Sequence, residues 1–159
     1  MSTEVSNVQP KEIWRNFSLL NAVPRPSKKE DRVVKFLISF AEKNNLTYKQ
    51  DKIGNLVIFK DATDGMSNRE TVVLQSHVDM VHEKNNDVEF DFSNSGIKMH
   101  VDGDWVKAKG TTLGADNGLG VAAIMAVLES TEISHPNIEA LFTIDEETGT
   151  VSYTHLTLP

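Results

Sequence analysis

The chain has 159 residues, a formal net charge of −7 and no cysteine. The absence of cysteine excludes a disulfide framework, thiolate metal ligands and a cysteine nucleophile. The acidic balance argues against nucleic acid or an anionic membrane surface as the partner. The first ten residues are polar and no apolar run approaches membrane length, so the sequence predicts a cytoplasmic protein without a signal peptide.

The spacing of apolar residues predicts three helices. The first follows Pro10 and ends before Pro24, because the residue before a proline is pushed out of the helical region. The second is predicted to open on a capping box formed by Ser27 and Glu30. The third, residues 118–128, is apolar on all sides and is therefore predicted to be buried.

Short apolar runs predict the strands of a sheet. Three of them have the continuous apolar character of strands buried on both faces, namely residues 56–59, 72–74 and 140–144. Residues 97–101 and 105–108 flank Asp102 and Gly103, which is typical of a hairpin. Because such strands alternate with helices, the sequence predicts an α/β protein, an α/β/α sandwich with a mixed, largely parallel sheet.

Three stretches of the chain carry acidic side chains together with turn residues. They read SHVD at residues 76–79, KGTTLGADNGLG at 109–120 and DEETG at 145–149. The first and third follow predicted strands, and chemistry in open α/β sheets gathers outside the carboxyl ends of strands. Alternation along an extended segment puts His77 and Asp79 on the same side, which suits a ligand imidazole oriented by a carboxylate.

Each stretch alone also has a simpler interpretation. His77 and Asp79 are compatible with a surface pair, Asp116 with a helix cap, and the acids at 145–147 with a solvated turn. A phosphate loop is excluded, since the lysine and hydroxyl of that motif are absent. Adjacent carboxylates such as Glu146 and Glu147 can take different roles: one binds a cation, and the other accepts a proton from cation-bound water. Taken together, the stretches predict a metal site.

The same residues resemble the M20 metallopeptidases, in particular the aminoacyl-histidine dipeptidases. The resemblance lies in SHVDM at residues 76–80, GTTLGADNG at 110–118 and EETG at 146–149. The segments PRPS at 24–27 and DKIGN at 51–55 resemble amino-terminal signatures of the same group, so the resemblance covers about residues 9–149.

The resemblance implies a two-zinc hydrolase of dipeptides, with cobalt or manganese as substitute ions. His77 would bind one metal, Glu147 the other, and Asp116 would bridge both. Asp79 would orient His77, and Glu146 would be the general base on a water held between the metals. The partners would be a dipeptide and divalent ions, and the resemblance allows a homodimer of the intact protein.

The family also has two further protein ligands and a lid domain, none of which can be placed in this chain. We therefore expect residues 1–149 to be the amino-terminal part of the catalytic domain and residues 150–159 to be a non-native tail. His155 is rejected as a ligand because nothing around it resembles the family, and Asp145 is interpreted as a flanking carboxylate. The other histidines are expected to be solvent-exposed or satisfied in the core, namely His82, His100 and His135.

Two alternative functions remain open. The protein is also compatible with another M20 amidohydrolase, a tripeptidase or an N-acyl amino-acid hydrolase. The second alternative is a non-catalytic truncated product, because family ligands are missing. The isolated chain is then expected to be poorly active, to bind metal weakly and to expose apolar surface where the sheet should continue.

Overall fold

The computed structural model describes residues 4–149 of the chain. A short 3-10 turn, Val5–Asn7, precedes the regular elements of this part. The helices are α1 Lys11–Asn21, α2 Asp31–Lys43 and α3 Ala115–Glu129. The strands are β1 Thr47–Gln50, β2 Leu56–Lys60, β3 Val72–His77, β4 Met99–Asp102, β5 Trp105–Ala108 and β6 Ile138–Thr143.

Four strands form one sheet in the order β1-β2-β6-β3, while β4 and β5 form the predicted hairpin. The mixed α/β class is confirmed. Strands β3 and β6 are parallel, whereas β1 pairs antiparallel with β2, and β2 pairs antiparallel with β6. The described sheet is therefore less parallel than the sequence predicted, because the short connection between β1 and β2 permits only an antiparallel pair.

The main core lies between the sheet and helices α2 and α3. Helix α3 is buried as its all-apolar sequence predicted, with Val121, Met125 and Leu128 between 0% and 2% exposed. Side chains of α2, β2 and β6 complete the cluster, including Val33, Leu37, Leu56, Ile58, Ala140 and Phe142. This packing fixes α3 against the sheet, and it therefore fixes the turn that precedes α3.

The predicted capping box is wrong. Helix α2 begins at Asp31, and its N-cap residue Glu30 makes no side-chain capping hydrogen bond. The Ser27 hydroxyl instead donates to the Asp79 carboxylate, with 2.7 Å between the oxygens. A buried carboxylate needs donors more than an accessible helix end does, because water can satisfy the latter.

The prediction that residues 72–74 are buried on both faces is also wrong. Val72 and Val73 are 42% and 47% exposed, because β3 lies at the edge of the described sheet. Burial begins only at the end of the strand, where Ser76 is 0% and His77 6% exposed. The protected end of β3 is thus the end that carries the SHVD stretch.

Within residues 4–149, none of the helices combines the length and the hydrophobicity that crossing a lipid bilayer requires.

Candidate metal centre

The parallel pairing of β3 and β6 brings two of the three acid-bearing stretches to one edge of the sheet. His77 lies in register with Thr143, and the next amide, that of Val78, donates to the Thr143 carbonyl over 2.9 Å. Residues that follow the two strands therefore leave the sheet side by side. These are the segment around Asp79 and the segment that carries Glu146 and Glu147.

The His77 ring contacts a carboxylate at each of its nitrogens. Nδ1 lies 3.2 Å from an oxygen of Asp79, as the alternation along the strand predicted. Nε2 lies 3.1 Å from an oxygen of Asp116 and 3.8 Å from an oxygen of Glu146. The imidazole thus joins side chains from all three stretches.

This acidic surrounding changes the protonation of His77. Burial alone would lower the pKa of His77, but hydrogen bonds to Asp79 and Asp116 and the charge of Glu146 outweigh it and raise the pKa to about 9. The position therefore attracts positive charge. In the metal-free chain a proton satisfies that attraction, and a divalent cation would compete for the same place.

Asp79 is a buried framework carboxylate, 0% exposed. Besides His77 and Ser27, it contacts the backbone amides of Glu146 and Glu147, which each donate to one of its oxygens over 3.1 Å. Burial alone would raise the pKa of Asp79, but these hydrogen bonds lower it to about 2. Asp79 therefore connects the imidazole of His77 to the loop after β6.

Asp116 lies in a bent turn at the start of α3. Gly114 precedes it in the left-handed region, at φ 68°, and the backbone of Asp116 and Asn117 is not helical although both lie within α3. The peptide bond between Asp116 and Asn117 is cis. The Asp116 side chain is 85% exposed, so the turn presents this carboxylate to solvent beside His77 instead of using it as a cap.

His77, Asp116 and Glu147 each offer a ligand atom, and these atoms all lie within 4.8 Å of one another. Burial raises the pKa of Glu147, His77 opposes the rise, and the neighbouring Asp116, Glu146 and Asp79 add to it. One imidazole and two carboxylates are donors that suit zinc, and crowded carboxylates favour a cation between them. The residues therefore fit a divalent metal ion.

A second group of carboxylates, Glu30, Asp79 and Asp145, also lies within 4.8 Å. Hydrogen bonds within the protein explain why these carboxylates lie together, because one Glu30 oxygen accepts from the amides of Lys28 and Asp145 at 2.8 and 3.2 Å. Burial raises the pKa of Glu30. This group forms a hydrogen-bonded framework around the loop after β6.

Sequence reasoning missed the residues that support this arrangement without being candidate ligands themselves. The buried Asn55 accepts from the amide of Ile144, next to the acidic loop, over 3.2 Å. Ser27 and the buried Arg25 bind the segment that follows β3. For Arg25 and Asn55 the only signal was their place in the PRPS and DKIGN segments, which carried a resemblance but no assigned role, and Ser27 was assigned to the helix cap instead.

The remaining histidines lie apart from the described clusters of candidate ligands. His82 is exposed, as expected. His135 is buried with its Nδ1 atom 2.7 Å from the Pro136 carbonyl oxygen, but its Nε2 atom has no hydrogen-bond partner among the described residues, so the expectation of a satisfied core histidine is only half met. His100 is partly buried in β4. His155 and the tail predicted at 150–159 lie outside the described residues.

Comparison with known proteins supports the resemblance. The cytosol non-specific dipeptidase of Escherichia coli is 43% identical over 147 residues, which is 92% of this chain and 30% of that protein. The crystal structure of aminoacylhistidine dipeptidase from Vibrio alginolyticus is 44% identical and superposes with a TM-score of 0.94, covering 98% of this chain and 32% of the other. No family model matches the chain.

A tripeptidase from Staphylococcus aureus shares the fold at 23% identity, with a TM-score of 0.76 over 94% of this chain and 40% of the other. The chain spans about a third of the length of the two dipeptidases that it matches. Over that third, the likeness in sequence and in fold covers nearly the whole chain. The resemblance of this chain to the M20 metallopeptidases, and within them to the aminoacylhistidine dipeptidases, is confirmed.

Proposed function

We propose that this chain supplies part of the catalytic domain of a metal-dependent dipeptidase that acts on Xaa-His and related dipeptides. The observation that carries the proposal is the meeting of His77, Asp116 and Glu147, whose ligand atoms lie within 4.8 Å of one another. The dipeptidases of similar sequence, at 43% and 44% identity, support the substrate class.

In this proposal two zinc ions are held in the intact protein, with cobalt or manganese as substitutes. His77 would bind one ion, Glu147 the other, and Asp116 would be shared between them. Bound zinc would supply Lewis-acid polarisation of the scissile carbonyl. The carboxylates around His77 support this assignment, because their negative charge and hydrogen bonds raise the pKa of His77 and a cation would relieve the same charge. The pKa of Glu147 is raised first by its burial and then by the charges of the neighbouring carboxylates.

Glu146 would act as the general base in this reaction. Its carboxylate lies 3.8 Å from Nε2 of His77, its side chain is 46% exposed, and its backbone amide is fixed by Asp79. A carboxylate held at its backbone and open at its tip can take a proton from water and deliver it to the departing amine. Asp79 would act only through His77 and the loop, as a positioning residue.

The whole protein is proposed to contain more than this chain. Residues 1–149 would be the amino-terminal part of the catalytic domain and residues 150–159 a non-native tail, while the remaining ligands and a lid domain would lie in further sequence. The coverage of about a third of each dipeptidase supports this division. We propose a cytoplasmic location, in line with the name of the Escherichia coli relative, and a homodimer as the assembly.

The test uses a version extended to the length of the relatives, assayed with β-alanyl-histidine, simple dipeptides, tripeptides and acylated amino acids side by side. We expect dipeptides to be preferred and calorimetry to show about two zinc ions per subunit. Preference for tripeptides or acylated amino acids would replace the dipeptidase with another M20 amidohydrolase. No zinc binding would overturn the metal site.

Glu146→Gln in the same version tests the general base. We expect the rate to fall roughly 10²–10⁴-fold, the usual contribution of a general base, while zinc stays bound. The exposed Glu70→Gln is the matched control and should leave the rate unchanged. Full activity in Glu146→Gln would remove Glu146 from the role. The isolated 159-residue chain is expected to be poorly active, and robust dipeptide hydrolysis by it would contradict the division proposed above.

A further inference from the structure

A buried arginine lies between the two segments that approach His77 from different directions. Arg25 follows helix α1 and belongs to the PRPS segment, and it is 1% exposed. It ranks first by volume among the fully buried side chains of the described residues. Burying a guanidinium costs free energy unless its N–H groups form hydrogen bonds, so the hydrogen-bond partners of Arg25 indicate its role.

The guanidinium of Arg25 donates to backbone carbonyls on both sides of the candidate metal centre. Nη1 donates to the carbonyls of Val78 and Asp79 at 3.0 and 3.2 Å, just after His77. Nη2 donates to the carbonyl of Gly114 at 2.6 Å, two residues before Asp116. One rigid planar group thus joins the end of β3 to the turn that opens α3.

A second side chain extends this connection. Asn21, the last residue of α1, accepts from Nη2 of Arg25 over 2.9 Å and donates to the Leu113 carbonyl over 3.0 Å. Two consecutive carbonyls before Asp116 are therefore anchored, at Leu113 and Gly114. The Arg25 carbonyl also accepts from the Met80 amide at 3.2 Å, so the backbone of Arg25 holds the same segment as its side chain.

The glycines of the GADNG turn leave room for this guanidinium. A Cβ atom would lie 2.5 Å from Nη2 of Arg25 at Gly114 and 2.6 Å from it at Gly118. Real Cβ atoms do not come this close to other heavy atoms, so both glycines are needed where Arg25 sits. The turn that presents Asp116 is thus shaped around Arg25 as well as around the bend of its own backbone.

We propose that Arg25 is a positioning residue that sets the spacing between His77 and Asp116 and thereby prepares the metal centre. The role of Arg25 in preparing a metal centre rests on the proposed function, whereas its hydrogen bonds do not depend on that function. Lysine would not replace it, because a lysine ammonium has no planar fork that reaches carbonyls on two segments at once. A purely structural arginine would add stability without controlling the separation of the two ligands.

The test compares Arg25→Lys with the matched control Arg69→Lys, since Arg69 is exposed and no side-chain hydrogen bond joins it to another described residue. In the metal-free 159-residue chain, we expect Arg25→Lys to shift the backbone amide signals of residues 78–80 and 114–118 in nuclear magnetic resonance spectra. Signals of β1 and β2 should stay in place. In the version extended to the length of the relatives, the zinc affinity of Arg25→Lys, measured by calorimetry well below the melting temperature, should fall about tenfold or more.

Asn21→Ala serves as a milder variant if Arg25→Lys does not fold. It removes one partner of Arg25 and the anchor of Leu113, so the signals of 114–118 should shift and zinc affinity should fall by less than in Arg25→Lys. Folded variants with unchanged amide signals and unchanged zinc affinity would overturn the inference. If the wild-type version extended to the length of the relatives binds no zinc while the variants still show shifted signals, the metal centre is refuted and the positioning role of Arg25 stands.

Discussion

Two aspartates contact the same imidazole, and they lie in opposite environments. Asp79 is 0% exposed and is surrounded by donors, whereas the side chain of Asp116 is 85% exposed and, among the described residues, has His77 as its hydrogen-bond partner. The first carboxylate has no capacity left for a ligand, and the second has nearly all of its capacity open. Burial and donor count therefore distinguish a carboxylate that is fully used within the fold from one whose oxygens are open to a ligand.

Their places in the chain account for the difference. Asp79 follows the buried end of β3, where the backbone of the neighbouring loop after β6 supplies two amides. Asp116 lies in the turn that contains Gly114, and Arg25 donates a hydrogen bond to the Gly114 carbonyl of that turn. Loss of Asp79 should thus damage the fold, and loss of Asp116 should damage binding alone.

The largest expected effect is on stability in Asp79→Asn. The new amide has only one acceptor oxygen, so its NH₂ group faces donors that the carboxylate now satisfies. We expect a loss of about 3 kcal/mol in the free energy of unfolding, measured with urea. The exposed Asp104→Asn should stay within about 0.5 kcal/mol of wild type. Equal stability of the two variants would refute the framework role.

Asp116→Asn should show the opposite pattern. Its stability should stay within about 0.5 kcal/mol of wild type, because the side chain is mostly in solvent. Its zinc affinity should fall roughly a hundredfold, since a charged ligand oxygen becomes a neutral amide. Calorimetry of the same preparations checks both statements. Wild-type zinc affinity in Asp116→Asn would remove Asp116 from the metal centre.

The stability of the metal-free chain is expected to depend on pH through His77. Its pKa is raised from 6.5 to about 9 in the folded chain, so the fold favours the protonated ring. That contribution is complete below about pH 6.5 and is lost as the pH rises through about 9. Urea unfolding across this range should show falling stability in the wild type.

Two substitutions isolate the imidazole responsible for that slope. His77→Gln should remove most of the slope, whereas the exposed His82→Gln should keep it. A flat profile in the wild type, or an unchanged slope in His77→Gln, would contradict the assignment of the titration to His77.

The smallest effect is expected from Ser27→Ala. It removes one of the donors to Asp79 and leaves the backbone amides of Glu146 and Glu147 in place. The expected loss is about 1 kcal/mol in the free energy of unfolding. The exposed Ser67→Ala provides the comparison and should match the wild type. Ser27→Ala with undiminished stability would show that the hydroxyl does not support Asp79.

Local periodicity predicted much of this arrangement. Alternation along β3 put His77 and Asp79 on one side, and strand ends brought the Asp79 and Glu146 segments to one edge. Sequence reasoning failed where long-range contacts override local signals. Ser27 matched a helix cap but serves a carboxylate 52 residues away, and Val72 reads as core but lies at an exposed sheet edge.

Arg25 shows why the rest could not be predicted. Its partners include carbonyl groups, which carry no sequence signature, at positions 53 to 89 residues farther along the chain. Arg25 lies in the PRPS segment, which carries the family resemblance, but that segment does not indicate which groups Arg25 contacts. Such backbone contacts become visible only when the fold is known.

The most direct test of the central claim is anomalous scattering at the zinc edge from crystals of the zinc-loaded chain or of its extended version. We expect two peaks, one at about 2.0–2.2 Å from Nε2 of His77 and from an oxygen of Asp116, and a second at the same distance from oxygens of Glu147 and Asp116. A zinc ion bound away from these three residues, with His77 still paired to Asp116, would contradict it.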